Sequence, residues 1–234
     1  MTFRDRLIGT LQRLRPFLEE PGVLIVGSEV PNLLQPRAAS TLVVSQDVDV
    51  AVPVDRLDTF KTRLRDVRDL IQSEEEPSVY VPTSPELIEA NFLGLDVRLR
   101  DAGETYVLDD PELPLMVFGP LGLVRPGPIV ELGTLRIPLP GVAGLMAEKL
   151  LTDRTGEKGA RDLLVVAGLL AVATPADEGA FVQLVHSLSP ESQHAIRSAL
   201  TVLSLMTAQP AMPDPVIVRS RVMELLRRIE EQDG

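Results

Sequence analysis

The sequence predicts an α/β fold: a mixed sheet with flanking helices in residues 1–139, followed by an all-helical half in residues 140–234 packed against it. Three observations carry this. Short apolar runs bounded by Gly or Pro, such as Val23-Leu24-Ile25-Val26 before Gly27, alternate with helical patterns through the first half. From Gly141 onward only helical periodicity remains, cut by Pro and Gly. There is no fixed-period repeat and no low-complexity linker to hold the halves apart.

Each element has its own signal. Leu7, Leu11, Leu14 and Leu18 recur at helical spacing among Arg4, Asp5, Arg6, Arg13 and Arg15, which predicts an amphipathic first helix and excludes a secretory leader there. Pro21-Gly22 ends it, and Val23–Val26 reads as a buried strand running into Gly27-Ser28. Ser28 is a good N-cap residue and Pro31 suits a first turn, so a helix of about two turns is expected from Ser28. Asp47–Val52 alternates acidic and apolar residues as a half-buried strand does.

Residues 54–72 carry Leu57, Phe60, Leu64, Val67, Leu70 and Ile71 among charges, which predicts one surface helix. An extended piece around Tyr80, a strand over 92–99 with Asp96 inside it, and a hairpin over 129–139 turning near Gly133 follow. Helices are expected over 141–154, 158–172, 177–188, 190–207 and 215–231.

Composition narrows the function classes. Hydrophobic residues make up 44% of the 234, enough for a sizeable core, while aromatics are 3% with no Trp, too few for stacking platforms along single-stranded nucleic acid. A net charge of −11 disfavours a broad nucleic-acid-coating surface. The absence of Cys excludes thiolate zinc sites and fits a cytoplasmic protein. His186 and His194, the two histidines, fall on predicted helices far from the motifs below and are too few for a histidine metal centre. No run approaches the roughly 20 apolar residues of a membrane-spanning helix, so no membrane partner is expected.

The residues that suggest chemistry are Gly27-Ser28, the Ser45-Gln46-Asp47-Val48-Asp49 segment and Asp96. Asp47 and Asp49 lie two apart on a predicted strand, so both carboxylates leave the same face, while Val48, Val50 and Val52 point the other way. Roughly one D-x-D pair is expected by chance in a chain of this Asp content, so its frame decides its weight. That frame is strand, Gly-Ser, helix, loop, acidic strand, then a later strand bearing Asp96 between Leu95 and Val97. Gly27 allows close approach of a phosphate and Ser28 offers a hydroxyl, although a tight turn with an N-cap accounts for the same two residues equally well.

The segment Val23–Val52 with Asp96 resembles the nucleotidyltransferase fold superfamily, whose signature is an apolar strand, G-[GS], a short helix, an acidic pair two apart and a third strand-borne acid. Glu148-Lys149-Leu150, Asp153-Arg154, Lys158 and Arg161-Asp162-Leu163 are similar to the helical segment of small bacterial members, including the AbiEii-like toxins of abortive-infection and type IV toxin–antitoxin systems. The interval from Ser28 to Asp47 is longer than is usual there, and Val165 stands where many relatives carry a further acid.

The resemblance implies a nucleotidyltransferase-like sheet and a metal-dependent transfer of a nucleotidyl group from a nucleoside triphosphate to a hydroxyl of RNA, protein or a small molecule. Asp47, Asp49 and Asp96 would be the catalytic, metal-binding residues for two Mg²⁺ ions, with Asp96 receiving the proton of the attacking hydroxyl. Gly27, Ser28, Lys149 and Arg154 would bind the nucleotide, the two cations offsetting phosphate charge. A toxin role with a partner antitoxin is included in what the resemblance implies. The alternative is a nucleotidyltransferase-like fold that binds or scaffolds without catalysis.

Overall fold

The computed structural model of the chain describes residues 2–35, 47–152, 157–210 and 212–231. It is a mixed sheet flanked by helices and followed by a helical carboxy-terminal half, as the sequence predicts. The first half contains α1 (Phe3–Arg13), α2 (Arg15–Leu18), β1 (Leu24–Val26), α3 (Val30–Leu34), β2 (Asp47–Pro53) and α4 (Leu57–Leu64). After these come β3 (Leu70–Gln72), β4 (Val79–Pro82), β5 (Glu89–Leu95), β6 (Tyr106–Leu108), β7 (Leu115–Val117) and the hairpin β8 (Pro126–Leu132) and β9 (Leu135–Pro140). The second half is α5 (Val142–Leu151), α6 (Glu157–Val172), α7 (Pro175–His186), α8 (Pro190–Leu205) and α9 (Pro215–Glu231).

The main sheet runs β1-β2-β5-β4-β3, with β7 also on β5 and β6 beyond it. β1 is antiparallel to β2, and β2 is parallel to β5 in the register Asp47–Glu89, Asp49–Asn91, Ala51–Leu93 and Pro53–Leu95. A parallel pair needs a long crossover. Here α4 and the β3–β4 hairpin supply it.

The strand period of two sorts the faces. Val48, Val50, Val52, Ala90 and Phe92 are buried in the main core with Leu7, Leu11 and Phe17 of the first helices. Phe17 meets Phe60 and Phe92 at ring-centroid distances of 5.2 and 5.1 Å, and Tyr80 stands edge-on to Phe92 at 5.2 Å. Four of the chain's eight Phe and Tyr thus tie α2 and α4 to the sheet. On the opposite face Leu24, Val26, Ala51 and Leu95 form a smaller cluster with Leu121 and Val124. That cluster covers only part of the face, and the polar residues of β2 and β5 occupy the rest.

α5 is the central helix of the second half, buried at Val142 and at every residue from Gly144 to Leu151. Its neighbours are α6, α7 and α8, and its residues belong to the same hydrophobic cluster as the sheet's inner face. Thr174 caps α7 through a reciprocal bond with Asp177, and Ser189 caps α8 through the Ser192 N–H, each followed by Pro at the first helical position. The observed starts of these helices follow from those caps.

Several elements differ from the sequence reading. The expected helix over 54–72 is helical only to Leu64; Asp69 takes φ 66°, and Leu70–Gln72 turns back as a strand pairing with Tyr80–Pro82. Cross-strand pairing overrides the helical spacing of Val67, Leu70 and Ile71 there, and Leu70 is buried while Ile71 is exposed, as strand alternation requires. The helix expected from Ser28 is five residues long and begins at Val30. The third strand ends at Leu95, so Asp96 stands beyond it. Gly133 turns the last hairpin with φ 63°.

Candidate functional site

Gly27 ends β1 with φ 93°, a conformation that L side chains rarely adopt, and it lies against Asp49 of the neighbouring strand. A Cβ built on Gly27 would collide with Asp49 Oδ2 and lie 3.2 Å from the Asp49 Cβ and Cγ. The turn after β1 is therefore shaped around this carboxylate. Ser28 Oγ donates to Glu29 Oε1 at 3.2 Å, and Asn32 Nδ2 donates to Glu29 Oε2 at 3.4 Å. Glu29 is buried at 1% exposure, and that burial pushes its carboxyl up to about 8, with the charges of Asp47 and Asp49 adding in the same direction.

β2 and β5 place Asp47, Asp49, Glu89 and Asn91 on one face, because directly paired residues of adjacent strands point the same way. Asn91 Nδ2 donates to Asp47 Oδ2 at 2.6 Å and to Asp49 Oδ1 at 3.3 Å, bridging the two carboxylates. Burial raises the Glu89 carboxyl above its usual range, and Asp47 and Glu76 raise it further. Among the described residues no set of three His, Asp or Glu side chains is arranged to hold a metal ion. An amide, Asn91, bridges the carboxylate pair.

Asp96 does not join this group. It follows β5 at the opposite end, five positions beyond Asn91 and so about 16 Å along the strand. Its buried carboxylate accepts from the Arg98 side chain at 2.6 and 2.9 Å and from the Arg98 backbone N–H at 3.0 Å, which holds it below the usual carboxylate range. The expected convergence of Asp96 with Asp47 and Asp49 is thus corrected: the parallel register sets the residue beside Asp49 to be Asn91.

The helical half supplies the cation. Lys149, buried on α5 with 7% exposure, lies 3.1 Å from Glu148 Oε2 and 3.5 Å from Asp162 Oδ1 of α6. Both acids are buried as well. A cavity of about 530 Å³ joins the two halves, lined by Gly27 and Ser28 after β1, Asp47 and Asp49 from β2, Glu89 and Asn91 from β5, and Glu148, Lys149, Arg161 and Asp162 from α5 and α6. Val26, Leu93, Met116, Phe118 and Leu121 form its apolar wall, and Val165 its floor on α6.

No protein-family model and no curated protein matches this chain.

Of the residues singled out by sequence, Gly27, Ser28, Asp47, Asp49 and Lys149 line the cavity, Asp96 lies away from it, and Arg154 falls outside the described residues. Glu29, Glu89 and Asn91 are site residues that carry no motif noted above, and Glu148 entered there only as part of the Glu148-Lys149-Leu150 resemblance. Glu89-Ala90-Asn91-Phe92 repeats the polar-apolar alternation of Asp47-Val48-Asp49-Val50, a signal that marks both strands as presenting one polar face. Glu29 carries no comparable pattern, since its burial follows from tertiary packing alone.

Among the described residues no helix is long and apolar enough to cross a membrane.

Proposed function

We propose that this cavity binds a nucleoside triphosphate with divalent cations and transfers its nucleotidyl group to an acceptor hydroxyl. The observation that carries the reading is the meeting, in one cavity, of the Gly27-Ser28 turn, the Asp47–Asp49 pair and the buried Lys149, which are brought together from both halves of the chain. The donor set suits Mg²⁺: two hard carboxylate oxygen donors on one strand face, with the glycine turn leaving room beside Asp49 that a side chain would fill. Asp47 and Asp49 would hold the ions, two in number as the resemblance implies, and bound Mg²⁺ would supply charge stabilisation at the phosphates.

The chain's own residues account for the rest. The apolar wall of Leu93, Met116 and Phe118 limits water on one side of the cavity. Lys149, with Arg161 on the same wall, offsets the charge developing on the departing pyrophosphate. The acceptor oxygen forms a bond to the α-phosphorus as the bond to the bridging oxygen of pyrophosphate breaks. We assign Glu89 as acceptor of the hydroxyl proton in place of Asp96, because its carboxyl faces the cavity beside Asp47 and is shifted toward neutrality. The acceptor is RNA, protein or a small molecule, and a cytoplasmic toxin role with an antitoxin partner belongs to the same proposal.

One observation favours a second reading, a binding or scaffold module without catalysis: an amide stands beside Asp49 where a third acid was expected. Purified protein incubated with Mg²⁺, α-labelled nucleoside triphosphates and a cell extract separates the two. Label entering RNA, protein or a small molecule with wild type and not with Asp49→Ala supports transfer. Mg²⁺-dependent nucleotide binding without label transfer supports the module.

A further inference from the structure

We infer that Asn91 is a clamp built for the carboxylate pair: its side-chain NH₂ holds Asp47 and Asp49 together when no cation lies between them. The inference rests on reading the pair as a cation site, and it names the residue that keeps that site assembled while empty.

Two carboxylates that leave the same face of a strand two residues apart repel each other, and their charge is felt by Glu29 and, from Asp47, by Glu89. The Asn91 amide offsets part of that repulsion. Asn91 has two N–H bonds on one nitrogen, and that nitrogen is 2.6 Å from Asp47 Oδ2 and 3.3 Å from Asp49 Oδ1, so each carboxylate receives one. Register fixes the placement, since Asn91 is the direct parallel neighbour of Asp49 and its Cβ leaves the sheet on the same side.

The other end of the amide completes the inference. Asn91 Oδ1 is buried and has no hydrogen-bond partner among the described residues. An amide flipped by 180° would aim that oxygen at two carboxylates, so wherever no cation offsets their charge the carboxylates favour this orientation, at the cost of an unsatisfied acceptor. A cation bound by Asp47 and Asp49 reverses the preference: it repels the NH₂ and attracts the carbonyl oxygen. Asn91 is thus a positioning residue with two orientations, one for the empty pair and one for the filled pair. An Asp at this position could serve only the filled state.

The chain contains two asparagines, Asn32 and Asn91, so selective ¹⁵N-Asn labelling gives two side-chain NH₂ signal pairs, assigned with Asn32→Ala. In EDTA the Asn91 pair is expected to be shifted away from solvent-exposed values and slow to exchange; Mg²⁺ should move it and, in uniformly ¹⁵N-labelled protein, the backbone signals of Asp47 and Asp49 as well. In parallel, Asn91→Asp should melt several degrees below wild type in EDTA and gain more from Mg²⁺ or Mn²⁺ than wild type does, whereas Asn91→Leu should lose stability in EDTA without that larger gain. Solvent-like Asn91 signals, or equal melting of Asn91→Asp and wild type in EDTA, would overturn the clamp. If Mg²⁺ moves no signal of Asp47, Asp49 or Asn91, the cation reading of the site fails, and the EDTA comparison alone decides the clamp.

Discussion

Gly27 and Asp49 touch across the first strand pair, with the glycine backbone occupying the space that any side chain would need beside the carboxylate. Gly27→Ala should therefore act twice. The φ of 93° costs an L residue about 1–2 kcal/mol, and the new methyl pushes the Asp49 carboxylate from its place. Chemical denaturation is expected to show the loss of stability, and titration calorimetry with Mg²⁺ and a nucleoside triphosphate a loss of binding larger than stability alone explains. Binding equal to wild type would separate Gly27 from the site.

Lys149 sits between two buried acids, and a buried ion pair broken on one side leaves an uncompensated charge. Lys149→Met should destabilise the protein by about 3–5 kcal/mol. Adding Glu148→Gln and Asp162→Asn to it should recover most of that stability while leaving nucleotide binding impaired. Equilibrium unfolding of the single and triple variants, with nucleotide binding of the triple, separates the structural part of the Lys149 role from the phosphate-binding part.

Asp96, held by Arg98 outside the cavity, makes the opposite prediction. Asp96→Asn weakens charge-assisted hydrogen bonds to a buried group and should cost about 1–3 kcal/mol. Metal and nucleotide binding should match wild type once measured at a temperature where both proteins are folded. A selective loss of metal binding in Asp96→Asn would restore Asp96 to the site.

Glu29 predicts a pH dependence. Its ordinary value is 4.5 and the fold raises it to about 8, so between those values the folded protein keeps a proton that the unfolded chain has released. The contribution is fully present below pH 4.5 and is lost as pH rises through the window to about 8, with a slope of at most about 1.4 kcal/mol per pH unit. Glu29→Gln keeps the side-chain volume and removes the titration, so its stability should fall less than that of wild type between pH 5 and 8. Parallel urea titrations at pH 5, 6.5 and 8 measure the difference; identical slopes would show that Glu29 does not carry it.

Much of the fold was legible because burial patterns repeat. Val48, Val50 and Val52 alternate with Asp47 and Asp49, which sets strand and face together, and the Pro-bounded apolar helices after Gly141 stand near their expected positions. Residues 65–72 depart from the helix their spacing predicts because Val67, Leu70 and Ile71 fit a helical pattern locally, and only pairing of Leu70–Gln72 with β4 makes them a strand. Asp96 departs from its predicted place for a related reason: an Asp between Leu95 and Val97 fits a strand locally, yet the strand ends at Leu95.

The sequence by itself determined the mixed sheet with its helical second half, the shared face of Asp47 and Asp49, and the glycine turn ahead of them, since all are local consequences of side-chain period and backbone freedom. Only the tertiary structure decided which residue stands beside Asp49, which acids surround Lys149 and that Glu29 is buried behind the pair. Those relationships depend on inter-strand register and on how α5 and α6 pack against each other and against α3 and the turn at 119–123. Neither leaves a fixed spacing in the chain, because contacts between distant segments are set by the collective packing of the core.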